Sequence, residues 1–210
     1  MRALSSPSIA QTPRSAWLLL GGWILASAGA AGAAALLGQF LEDIVLGLAL
    51  ASAQTLVLRW YRLPHAGWWV PASTVGSLTG WLVAVVFLAL VPGQALGAGL
   101  GSPWWAGAWG GGALFQAWVL AAGPGRRPHR LAMLWVLASL AGGLLFRLVA
   151  DSAGGFMFQL RDVWTPGIVG AVAARQLADH VLAWSGGGAL YGLVTGAVLP
   201  GLVHRRHRQR

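Results

Sequence analysis

The chain has 210 residues, 57% of them hydrophobic and only 9% charged, with a formal charge of +9. Soluble domains carry about 25% charged residues, so the composition excludes an ordinary water-facing surface and leads us to expect a bilayer as solvent. All 14 basic residues are arginine, against 5 acidic residues, and there is no cysteine. Disulfides, thiolate metal sites and a thiol nucleophile are thereby removed.

A membrane-crossing helix needs about 20 mainly apolar residues, and six segments meet that length. A tail over residues 1–15 carries Arg2 and Arg14 and leads into the first, 16–37, where Ala26, Ala30 and Ala34 form a stripe. Basic residues, an apolar run and the small residues 31–35 also read as a cleavable secretory signal. The run is longer than the usual 7–15-residue signal core, so a retained helix is expected. The second segment, 40–58, opens on Glu42 and Asp43. Arg59, Arg62 and Pro64-His65 separate it from the third, 68–91. The fourth, 104–122, is followed by Arg126, Arg127, Pro128-His129 and Arg130, then by the fifth, 131–150. A long connector, 151–179, contains Thr165-Pro166, a helix-start signal, and a short surface helix is expected after it. The sixth segment, 181–203, ends in a basic tail, 204–210.

The connectors set the orientation. Six crossings place every large arginine cluster on one side and Glu42, Asp43, Asp151, Asp162 and Asp179 on the other. By the positive-inside rule both termini are then cytoplasmic. The basic charge is expected to meet anionic lipid headgroups rather than nucleic acid.

The segments echo one another. Gln54-Thr55-Leu56-Val57-Leu58, a basic Pro-His turn, Trp69-Val70-Pro71-Ala72-Ser73 and Gly76 correspond to Gln116-Ala117-Trp118-Val119-Leu120, a second such turn, Trp135-Val136-Leu137-Ala138-Ser139 and Gly142. Gly187-Gly188-Ala189-Leu190-Tyr191 echoes Gly111-Gly112-Ala113-Leu114-Phe115 and begins a third copy. Each unit reads as a helix hairpin with a cytoplasmic turn, giving parallel rather than inverted repeats. The Gln-x-x-Val-Leu-Arg run, the Trp-Trp-Val after the turn and Tyr191-Gly192-x-x-Thr195-Gly196 resemble small bacterial multipass membrane proteins with internal helix-hairpin repeats. The resemblance covers residues 40–203, departs at Thr55 where Trp is expected, and implies an all-α fold without any activity, cofactor or catalytic residue. The expected fold is therefore one all-α transmembrane domain over residues 1–210, with six helices built from hairpin repeats.

Few residues offer chemistry. Gln54 and Gln116 are amides within apolar segments and must find partners on neighbouring helices. Arg147 has Asp151 four residues on, sharing a helix face, and with Glu42 and Asp43 forms a candidate polar cluster at the outer end. His180 is a candidate ligand for a haem- or chlorophyll-type ring. His65, His129, His204 and His207 lie among arginines, which disfavours a metal ion. Ser185 lacks a base, and the glycine runs lack the Lys-Ser/Thr of a phosphate loop. No catalytic residue, metal or cofactor is expected.

The leading expectation is a non-catalytic accessory or assembly subunit of a membrane complex, in a bacterial inner (plasma) membrane. The alternative is a small-solute transporter or its membrane substrate-binding subunit, similar in size and topology to the substrate-capture components of energy-coupling-factor transporters. A third reading is a pigment- or quinone-binding subunit.

Overall fold

The computed structural model describes residues 13–37, 42–61, 63, 65–90, 103–122, 128–154 and 169–199. Among them the chain is helical, without strands: α1 (Pro13–Leu37), α2 (Glu42–Trp60), a 3-10 turn (Ala66–Trp68), α3 (Trp69–Leu90), α4 (Pro103–Ala121), α5 (Pro128–Gly154) and α6 (Val169–Gly196). Proline opens α1, α4 and α5, where the missing N–H is no loss and the fixed φ favours the helix. The α2–α3 turn is tied by Tyr61 N–H to Val57 O at 3.1 Å and Leu63 N–H to Leu58 O at 2.9 Å. His65 reverses the chain there in the left-handed region, φ 62°.

The helices occupy the expected apolar segments with one correction. α6 begins at Val169, so residues 169–177 continue directly into the last helix instead of forming a separate surface helix. Ala171, Ala173 and Ala174 favour the helix, and Arg175 and Asp179 have the i,i+4 spacing that supports it; nothing in the run breaks it. Thr165-Pro166 lies outside the described residues, as do the two tails apart from residues 13–15.

Each helix packs on the next, and α6 returns to α1, closing a ring. Two buried clusters stack along it. One gathers Leu19, Trp23, Leu58, Trp69, Ala117, Trp135 and Leu199, at the end where α1, α3 and α5 begin and the arginine-bearing turns lie. The other gathers Ala30, Ala31, Ala34, Ala35, Leu46, Phe146, Ala150 and Trp184, at the opposite end.

Glycine decides two of the seams. A Cβ at Gly80 would strike the Gly107 carbonyl, and one at Gly76 the Gly111 carbonyl, so α3 and α4 meet backbone to backbone. Gly188 and Gly192 likewise meet the α1 backbone at Ser27 and Ile24, and Gly196 meets the side chains of Leu20 and Trp23. Such spacing lets helices approach closely enough for packing alone to hold them.

Three stretches, Ala16–Leu36, Ala66–Phe87 and His129–Ala150, are long and apolar enough to cross a membrane, and α2 adds a shorter one, Val45–Trp60.

Candidate functional site

Two buried glutamines and their partners are bonded in a repeating pattern. Trp69 Nε1 donates to Gln54 Oε1 at 3.1 Å, and Gln54 Nε2 donates to Ser27 Oγ at 3.4 Å. Trp135 Nε1 donates to Gln116 Oε1 at 3.0 Å, and Gln116 Nε2 donates to Ser73 Oγ at 2.7 Å. Each amide thus joins three helices: α1, α2 and α3 through Gln54, and α3, α4 and α5 through Gln116. Ser73 Oγ also donates to Trp69 O at 2.7 Å, which fills both its roles. Expected partners for the two glutamines are now named, and both amides are buried.

A third tryptophan completes the set. Trp23 Nε1 donates to Thr195 Oγ1 at 2.9 Å, across 172 residues of chain. The three indoles are fully buried and meet edge to face, with centroids 6.1 Å (Trp23–Trp69), 5.9 Å (Trp23–Trp135) and 5.1 Å (Trp69–Trp135) apart. This geometry sets the positive ring edge of one indole against the negative face of the next.

Trp23, Ser27, Ser73, Ser139 and Thr195 were not among the candidate residues. A signal for most of them is present: Trp23-Ile24-Leu25-Ala26-Ser27 has the same Trp-x-x-Ala-Ser form as residues 69–73 and 135–139. Spacing i,i+4 places each Trp and Ser on one helix face.

The pattern changes at α6. Gly112 lies against Ser73 O of α3, four residues before Gln116; Gly188 lies against Ser27 O of α1, four residues before Gly192. In sequence, residues 187–191 echo residues 111–115, which puts Gly192 at the glutamine's register. Thr195 takes over as acceptor for the indole, and Ser139 Oγ, 1% exposed, has no hydrogen-bond partner of good geometry. The Tyr191 hydroxyl faces Ser139 and Gln54.

The other candidate residues lie nearer the opposite end. Arg147 is half-buried and partnered. Glu42, Asp43 and Asp151 sit at the ends of α2 and α5, but their side chains lie outside the described residues. His180 is 5% exposed, its ring 5.2 Å from that of Trp184 and its Nδ1 without a partner. Ser185 Oγ lies against Gly32 of α1. His65, His129, Arg59 and Arg130 are exposed at the arginine end, together with Trp17, Trp60, Trp68 and Trp118. Among the described residues no three His, Asp or Glu gather as a metal site.

No family model, curated protein or solved structure matches the chain.

Proposed function

We propose that this is a six-span membrane protein with cytoplasmic termini, acting as a non-catalytic accessory or assembly subunit of a membrane complex. A bacterial inner membrane suits the reading, since it follows the positive-inside rule. The observation that carries the subunit role is the pairing of the buried polar groups. Gln54, Gln116, Ser27, Ser73 and Thr195 bond one another and the indoles. Carriers and pumps keep ionisable side chains facing a path through the bundle; here three indoles fill the ring's interior at the arginine end.

The surface supports the membrane assignment. Trp60 is 86% and Trp118 67% exposed, at the same end as Arg59 and Arg130. Tryptophan and arginine at one level are the usual anchors of a cytoplasmic leaflet, and the arginines suit anionic headgroups. The exposed Leu78, Leu82, Val86 and Phe87 of α3 suit acyl chains or a partner helix.

A second reading rests on His180. A buried imidazole with an unbonded nitrogen favours a ligand-binding subunit, for a small solute or a pigment or quinone.

Purification in a gentle detergent, with cross-linking mass spectrometry and a visible spectrum, separates these readings. The assembly role predicts a reproducible protein partner and a colourless preparation. A bound chromophore or solute lost in His180→Leu, with no partner protein, would replace it. Topology is checked by reporters: one after Arg210 or beside Arg62 should report cytoplasm, and one near Gly99 the exterior.

A further inference from the structure

The geometry points to a bundle made of three helix hairpins in a cycle, the third formed by the two ends of the chain, α6 and α1. The hairpins α2–α3 and α4–α5 are each clamped at the turn by an indole donating to the preceding helix, Trp69 to Gln54 and Trp135 to Gln116. Trp23 donating to Thr195 is the same clamp across α6 and α1, with no covalent turn between them.

Three features recur together. The odd helices carry Trp-x-x-Ala-Ser at 23–27, 69–73 and 135–139. A small buried residue follows seven positions after each indole, at Ala30, Gly76 and Gly142. The three indoles contact one another as a triangle with interplanar angles of 78°, 80° and 74°. A chance pair of similar segments explains two clamps; it does not explain a third made by residues at opposite ends of the sequence.

The departure in the third hairpin has a physical reason. At Gly192 a Cβ would lie 2.9 Å from Ile24 Cα and 3.0 Å from Ser27 Cβ, so no glutamine fits where α6 meets α1. The close approach replaces the amide, and Thr195, one turn on, supplies the acceptor. Glycine also draws this seam close, at Gly188, Gly192 and Gly196, as Gly76, Gly80, Gly107 and Gly111 do between α3 and α4.

Circular permutation tests this without assuming a partner or a ligand. Residue 210 is joined to residue 1 by a short Gly-Ser linker, and the chain is cut within 155–168 or within 91–102. Both cuts leave three hairpins whole. A third permutant, cut within 123–127, opens the α4–α5 hairpin. The expected result is that the first two give a monodisperse peak in detergent and keep the near-ultraviolet circular dichroism of the coupled indoles. The third should melt at least 10 °C lower. The parent chain expressed as two fragments split at the same loops reports whether a cut alone is harmful. If fragments assemble while the joined permutants do not, or if the 123–127 cut is tolerated as well as the others, the cyclic arrangement is wrong. A point variant offers an independent arm: Trp23→Phe should weaken the indole signal by about as much as Trp69→Phe or Trp135→Phe. A Trp23 variant that leaves the signal intact would also overturn it.

Discussion

The two ends of the bundle solve the same packing problem differently. At the arginine end, large indoles interlock and their N–H groups are anchored by Gln54, Gln116 and Thr195. At the other end, alanines of α1 lie against Leu46, Phe146 and Trp184, and the buried His180 Nδ1 has no bond. A hydrogen bond between membrane helices contributes on average only about 0.6 kcal/mol, so the difference is one of geometry more than of energy. Directional bonds lock three helices at a time into one register, whereas alanine contacts allow sliding. The arginine end should therefore be the rigid part and the opposite end the adaptable one.

The largest effect should come from removing an indole. Trp69→Ala takes away edge contacts with two other rings and strands the Gln54 carbonyl, and a loss of about 3–5 kcal/mol is expected. Reversible unfolding in mixed micelles measures it. Next comes an amide: Gln116→Leu leaves the Trp135 N–H buried without an acceptor, at about 1–3 kcal/mol. A loss below the first figure's range but above zero keeps the contrast; no loss at all would mean that the clamp is ornamental. At the opposite end, Arg147→Gln combined with Asp151→Asn should show a coupling of about 0.3–0.5 kcal/mol in a double-mutant cycle, the range of an i,i+4 pair. Coupling of several kcal/mol would instead make that end a desolvated charge cluster. An effect of the opposite sign is expected for His180→Phe. Replacing an unbonded buried imidazole by an apolar ring should be neutral or stabilising by up to about 1 kcal/mol, read as a melting shift. Clear destabilisation would show that His180 holds a partner.

Helix number and order were legible because the apolar stretches and arginine turns are local features. The partners of Gln54 and Gln116 were legible only as a need: an amide in an apolar segment must be bonded, but periodicity does not say to what. Trp23 was missed although its Trp-x-x-Ala-Ser is in plain view. The repeat was traced through glutamine, and the third hairpin has Gly192 at that register. The start of α6 was misplaced because Arg175, Asp179 and His180 lower the apolarity of a segment that is nonetheless helical. His180 illustrates the remaining gap: its residue type marks a candidate ligand, and only the packing of α6 on its neighbours buries it.

The clamp between Trp23 and Thr195 also sets an order of events during synthesis. Chains emerge at about 5–20 residues per second, so Trp23 precedes its acceptor by roughly 10–30 s. Through that interval α1 has its indole N–H and its glycine-facing side without their final partners, while α2–α3 and α4–α5 can each close locally. Of the six helices α1 thus waits longest for its final partner, and a chaperone or insertase that shields α1 would act in that window.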